Sequence, residues 1–306
     1  MTGRSCSAGY RCPQGTTSEI ACSPGTYQPS TGQGACLPCP AGSLCAAAGM
    51  NSTTICPAGF YCPAGSSVGT ACPTGTISTT PGLLNVSQCT LCPVGSYCAA
   101  QNASTPTGLC PAGYFCALGT ATALPGGNFP NSGRCPAGHH CPLGALAPVP
   151  CDVGTYNLGT GAPNASSCTP CPAGYYCASS GLSAVTGVCT AGSYCPAGSS
   201  VPAAQPCPKG FYCPTASGAP IGCPDSFYQD LTGQSSCKSC PAGSFCNGNA
   251  SIPIECPIGY YCVPSSPQPT PCPSGSFGPS AALQSSSQCA ACTQGSYCTN
   301  GFLTGT

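Results

Sequence analysis

Cysteine spacing constrains this chain more than any other feature. Thirty-four of its 306 residues are cysteine, a density that marks disulfide scaffolds. Twelve times, two cysteines enclose five residues, as in "CPAGFYC" from Cys56, "CPAGYYC" from Cys171 and "CPIGYYC" from Cys256. The other nine loops begin at Cys6, Cys39, Cys92, Cys110, Cys135, Cys189, Cys207, Cys240 and Cys292. Five longer segments begin at Cys22, Cys72, Cys151, Cys223 and Cys272, and a C-x-x-C joins the end of each to the next short loop. These twelve loops and five segments use every cysteine once.

Recurrence at a fixed period indicates stacked units, each touching mainly its neighbours. One full turn of the pattern takes about 50 residues, or about 70 to 80 where an extra short loop intervenes, as at Cys110 and Cys189. Within Cys-Pro-x-Gly, proline supplies the φ wanted at the second position of a β-turn, and glycine suits the fourth. An aromatic residue precedes the closing cysteine in nine of the twelve loops, Tyr61, Phe115 and Tyr212 among them. With no tryptophan and no long apolar run, these rings are expected to cover disulfides in place of a large core. Glycine and proline, 79 residues together, interrupt any apolar pattern of helical period. The expected fold class is small disulfide-rich repeats: an elongated rod of stacked loops and short β-hairpins, with almost no helix. Its segments are 1–45; 56–116 and 135–195, each with an extra loop; 207–246; and a truncated 256–306. Pairing is not fixed by spacing, since six cysteines already permit 15 connectivities. Local bridges, within a unit or between adjacent ones, are the simplest arrangement.

So many thiols imply an oxidising compartment, hence a secreted, extracellular or cell-surface chain. Charge narrows the partners. Five basic and five acidic side chains give zero net charge, and no basic cluster offers a footprint for nucleic acid or anionic lipid. A surface this neutral associates readily, so copies of the chain itself or other filament subunits are the expected partners. No apolar run approaches the roughly 20 residues that span a bilayer, so no membrane insertion is expected in this segment. Met1 leads into "TGRSC" and not into an apolar leader, from which the expectation is a piece of a longer precursor.

Chemistry-bearing motifs are few. Zinc ribbons bring two C-x-x-C pairs together across about 15–20 residues. Here the pairs, such as Cys36/Cys39 and Cys89/Cys92, recur at about three times that spacing and read as structural disulfides. His139 and His140 stand where other loops place two aromatic residues and read as a substituted ring pair, with no metal expected. Carboxylates are too scattered for general acid–base work, so no enzyme and no cofactor is expected. Sequons for N-linked sugar occur at Asn51, Asn85, Asn102, Asn164 and Asn249, all in variable stretches. Patches such as "STPTG" suit O-linked sugar as well. Glycans, rather than charge, would then hydrate the surface.

The stretches "CSPGTYQPSTGQGACLPCPAGSLC" from Cys22 and "CDVGTYNLGTGAPNASSCTPCPAGYYC" from Cys151 resemble ephrin-receptor-like cysteine-rich repeats, relatives of growth-factor-receptor and tumour-necrosis-factor-receptor modules. G-T-Y, the variable loop and the closing C-x-x-C-P-x-G carry the resemblance through nearly the whole chain. It implies bridges Cys22–Cys36, Cys72–Cys89, Cys151–Cys168, Cys223–Cys237 and Cys272–Cys289. Ile77 in the tyrosine position, "DSFY" after Cys223 and the extra short loops depart from the pattern. Proteins of flagellar hairs (mastigonemes) and protist coats are similar in kind. The function this implies is a structural component of an extracellular filament, appendage or coat, built from disulfide-stapled glycosylated repeats. A receptor or adhesion ectodomain presenting a ligand-binding face is the alternative.

Overall fold

A tight turn after the first cysteine of each repeat decides where the chain reverses. In the computed structural model, which describes residues 4–126 and 132–304, the amide of Phe60 donates to the carbonyl of Pro57 at 3.2 Å. The turn therefore runs Pro57-Ala58-Gly59-Phe60, with Gly59 at φ +84°. Proline is its first corner and glycine its third, one residue out of step with the Cys-Pro-x-Gly turn expected from composition. The reason is steric. A type II turn needs a left-handed third corner, which glycine adopts without a β-carbon penalty.

The last residue of the turn and the one after it pair with the two residues that precede the next repeat's first cysteine. Thus Phe60–Tyr61 pairs antiparallel with Thr70–Ala71, directly before Cys72. Sixteen two-stranded sheets of this kind form among the described residues, and a seventeenth pairs Tyr297–Thr299 with Phe302–Thr304; strands are two or three residues long. Among the described residues the helical content is three 3₁₀ turns, at Val86–Gln88, Ala165–Ser167 and Ser286–Gln288. This is the small disulfide-rich repeat class, almost without helix.

The repeating unit is shorter than the cysteine pattern suggests. Turn, hairpin and first cysteine recur with every disulfide, so short loops and long segments are variants of one repeat. Segments 1–45 to 256–306 each contain several such repeats; their residues 1–3 and 305–306 lie outside the described residues. By internal contacts the chain forms two compact units, Met1–Val149 with Gly159–Ser167, and Pro150–Leu158 with Cys168–Thr306.

Within each unit, backbone hydrogen bonds join successive repeats in one register. In the first, the amides of Cys39, Cys56 and Cys72 donate to the carbonyls of the preceding turn glycines, Gly25, Gly42 and Gly59, each at 2.9 Å. In the second, Cys189, Cys207 and Cys223 donate likewise to Gly174, Gly192 and Gly210, again at 2.9 Å. A second ladder runs, in the internal repeats, from a left-handed corner in the hairpin loop to the first cysteine of the repeat before. The amides of Gly65 and Gly82 donate to the carbonyls of Cys39 and Cys56 at 2.7 and 2.8 Å. Two-residue strands are marginal alone. Here the ladders supply the backbone partners a wider sheet would give.

All 34 cysteines are bridged, in 17 disulfides. Every short loop closes on itself at a sequence separation of 6, as Cys56–Cys62 does. The long segments close as Cys22–Cys36 and Cys223–Cys237 at a separation of 14, and as Cys72–Cys89, Cys151–Cys168 and Cys272–Cys289 at 17. Sulfur forms the centre of each repeat: Cys39, Cys45, Cys56 and Cys62 are fully buried. Rings close over it from one repeat back. Phe115 packs on Cys135, Cys141 and Ala145, and Tyr228 on Cys240, Cys246 and Ala250.

The long segments lack a cysteine six residues after their first, and a different residue fills that place. In the two 14-residue closures it is a glutamine, Gln28 or Gln229, at 4% and 1% exposure. Gln229 donates through Nε2 to the Ser236 carbonyl at 2.7 Å and accepts at Oε1 from the Leu231 amide at 3.1 Å. Gln28 repeats this with Ala35 and Ser30. The carboxamide spans a loop that elsewhere is held by sulfur. In the 17-residue closures from Cys72, Cys151 and Cys272, the three extra residues instead make the 3₁₀ turn.

Candidate functional site

The left-handed corner of the hairpin loop is where the chain presents chemistry to solvent. It lies nine or ten residues after the first cysteine, and its φ is positive whether the residue is glycine or not. Gly49 has φ +76°, Asn102 +54°, Ala216 +65° and Asn249 +64°. Asparagine tolerates this region better than most side chains. Both corner asparagines keep the ladder bond: the Asn102 amide donates to Cys72 at 3.0 Å and the Asn249 amide to Cys223 at 2.8 Å.

All five sequon asparagines cluster at this corner. Asn102 and Asn249 occupy it, Asn51 follows Gly49 by two residues, and Asn85 and Asn164 follow Gly82 and Gly161 by three. Every one is exposed. At Asn85, Oδ1 accepts from the Ser87 amide at 3.1 Å and from its hydroxyl at 2.5 Å. Asn164 holds Ser166 in the same way, at 3.2 and 2.6 Å. At these two sequons the serine is thus folded back on its own asparagine. Sequence reasoning found the sequons but not their shared place, because the corner becomes visible only when all repeats are set in register on their first cysteine.

Apolar side chains flank the same corners in the first unit. Ile55 stands beside Gly82 and Leu109 beside Gly144, while Leu84 and Leu146, two residues past those corners, lie against the turn glycines Gly42 and Gly95; all four are between 43% and 60% exposed. A β-carbon on Gly82 would lie 3.5 Å from Ile55 Cδ1, and one on Gly144 3.7 Å from Leu109 Cδ2.

The remaining residues singled out by sequence are placed as follows. Cys36 and Cys39 bridge to Cys22 and Cys45, and Cys89 and Cys92 to Cys72 and Cys98, so neither C-x-x-C is a pair of thiols. His139 and His140 form a two-residue strand, half-buried, with Nδ1 of His139 at 3.1 Å from the Ala137 carbonyl oxygen. Lys238 donates to Asp230 at 2.6 Å, with Nζ 5.9 Å from the Tyr228 ring centroid. The hydrogen bond from Lys238 holds the Asp230 carboxyl below its ordinary value, and the same bond raises Lys238. Glu19 is lowered by the backbone hydrogen bond from Ser7, at 3.0 Å.

No family model matches the chain. A stretch of 43 residues is 46% identical to ephrin type-B receptor 4 of Homo sapiens, covering 14% of this chain and 4% of the receptor. That likeness and the disulfide hairpins together make the chain a cysteine-rich repeat protein with local similarity to an ephrin receptor. Such bridges form and persist in oxidising compartments, which suits an extracellular protein. No described helix is long and apolar enough to cross a membrane.

Proposed function

We propose that this chain is a structural segment of an extracellular filament, appendage or coat, its repeats stapled by disulfides and hydrated by sugar. One contrast carries the reading. Twenty-nine large apolar side chains are exposed among the described residues, whereas the whole chain has ten charged ones. A freely dispersed surface usually has charge in far higher proportion. Exposed apolar side chains beside repeated corners suit packing against identical neighbours, and glycans at the intervening corners would limit that packing to chosen faces. The proposed partners are therefore further copies of the chain or other subunits of the same assembly. No catalytic role or cofactor belongs to this reading.

Electron microscopy of native material tests it. Filaments or sheets carrying this chain are the expected result. Dispersed monomers, confirmed by sedimentation, would favour the alternative, a receptor-like ectodomain. The local likeness to an ephrin receptor supports that second reading in kind.

A further inference from the structure

The bridges differ in how exposed their two cysteines are. In the internal short loops both cysteines are buried, as in Cys207–Cys213 and Cys240–Cys246, at 0–1% exposure. In the long segments the first cysteine is buried and the closing one is half-buried: Cys36, Cys89, Cys168, Cys237 and Cys289. Among these, Cys237 lines an open apolar hollow in its unit. The hollow has a volume of about 190 Å³ and is walled by Tyr212, Pro224, Phe227 and Ser236. Phe227 is 37% exposed, so its ring meets solvent at the mouth.

The chain contains a natural control. Cys22–Cys36 has the same separation of 14 and the same bridging glutamine. At the register positions of Tyr212, Pro224, Phe227 and Ser236 it has Arg11, Ser23, Thr26 and Ala35. The two bridges share a backbone plan and differ in the aromatic walls.

We propose that Cys223–Cys237 is a thiol-exchange site that takes aromatic or otherwise apolar thiols. An incoming thiolate seated between Tyr212 and Phe227 attacks Sγ of Cys237, the cysteine of the bridge that lines the hollow. A new S–S bond forms between ligand and Cys237 as the Cys223–Cys237 bond breaks. Cys223 Sγ leaves with the bonding pair and takes a proton from solvent. The ligand sulfur and Cys237 then form a mixed disulfide. A second thiol displaces Cys237, so two ligand thiols are oxidised to a disulfide and the bridge is reduced to two protein thiols. Where the thiol belongs to another chain, the mixed disulfide is a covalent cross-link. Exchange rate depends on access and on thiol acidity, so probes of matched acidity isolate the contribution of the hollow.

The test treats the full oxidised chain with benzyl mercaptan, and separately with 2-mercaptoethanol, an aliphatic thiol of similar acidity. Opened bridges are alkylated at intervals and assigned by mass spectrometry. With benzyl mercaptan, Cys223–Cys237 opens about five-fold or more faster than Cys22–Cys36, the scale of one good aromatic contact; with 2-mercaptoethanol the two rates converge. Phe227→Thr with Tyr212→Arg, residues already accommodated in the control repeat, removes the preference and leaves the Cys22–Cys36 rate unchanged. The reverse pair, Thr26→Phe with Arg11→Tyr, moves the preference to Cys22–Cys36. Equal opening of both bridges by benzyl mercaptan, or opening of short loops first, overturns the proposal.

Discussion

The carbonyl oxygen of Gly65 lies 2.5 Å from the point where a β-carbon on Gly25 would stand. Gly25 is a turn glycine and Gly65 a corner glycine two repeats on, and both have positive φ, +88° and +82°. Their roles are not symmetrical, because a β-carbon on Gly65 would meet nothing within 4 Å. Gly65→Ala therefore costs only the left-handed backbone penalty, about 1–2 kcal/mol. Gly25→Ala adds an overlap with backbone that cannot move without breaking the ladder, for a total of about 3 kcal/mol or more. Hydrogen exchange reads the difference locally: Gly25→Ala strips protection from the Cys39 amide, which donates to the Gly25 carbonyl at 2.9 Å, and Gly65→Ala leaves it largely intact.

Ser226 is the one turn position where the chain departs from glycine, and it still adopts φ +76°. Its carbonyl keeps the ladder bond from Cys240 at 2.8 Å. Replacing it removes strain and no hydrogen bond in the ladder. Ser226→Gly is expected to stabilise its hairpin by about 1 kcal/mol, the usual scale for relieving a left-handed non-glycine residue. A rise in the melting temperature of the full chain checks this; an unchanged or lowered value contradicts it.

Gln229 tests the substitution of an amide for a disulfide. Gln229→Leu keeps the volume and the backbone ladder bonds but leaves the Leu231 amide and Ser236 carbonyl without their partner. Loss of two such bonds from a residue 1% exposed should cost about 2 kcal/mol. Denaturant unfolding of the oxidised chain measures it. The equivalent Gln28→Leu should match, since Gln28 spans its loop in the same way.

Stability should depend little on pH across the neutral range. Asp230 and Glu19 have lowered folded-state values, so their small contributions exist above the ordinary carboxylate range and are lost as pH falls through the folded values, below about pH 4. Lys238 is raised, so its contribution is present below the ordinary lysine value and disappears as pH rises through the folded one, above about pH 10. All three groups are exposed and solvent-screened. Thermal melts between pH 5 and 9 should therefore superimpose within about 2 °C, given how few ionised pairs are available to titrate.

Much of this architecture was legible because local chemistry sets it. Cysteine spacing and Pro-x-Gly punctuation are enough to indicate hairpin repeats without helices, since no apolar stretch competes with the turns. The turn register differs by one residue from the expected one, because Cys-Pro-x-Gly invites proline into the second corner, whereas Gly59 must hold the left-handed third. The structural repeat is shorter than the cysteine period for a related reason. Cys22 and Cys39 begin equivalent repeats, yet one bridge closes after 14 residues and the other after 6, so the cysteines read as two kinds of element. Aligning first cysteines would have revealed Gln28 and Gln229 in the cysteine position. The hollow beside Cys237 depends on Tyr212 and Phe227, residues 15 apart in sequence that the fold brings together, and no local pattern encodes that.

Sugar at the hairpin corners is the prediction on which the reading of this surface depends most. All five sequon asparagines are exposed, but their surroundings differ. At Asn85 and Asn164 the carboxamide oxygen is held by Ser87 and Ser166, which fixes the side chain. Asn249 is the corner residue itself, with positive φ, and its Oδ1 occupies the place where a β-carbon on Gly222 would stand. Secreted native chain should carry N-linked glycan at three or more of the five. Enzymatic deglycosylation in heavy-oxygen water, followed by peptide mass spectrometry, marks each occupied asparagine as aspartate. Removing the sugar should lower solubility without lowering the melting temperature much, because no corner side chain is needed for the backbone ladder: glycine serves there at Gly65 and Gly82. If all five asparagines are bare, the exposed apolar side chains Ile55, Leu84, Leu109 and Leu146 are left without a hydrating neighbour. Contact with another subunit would then have to cover them entirely, and the native chain should not be found dispersed.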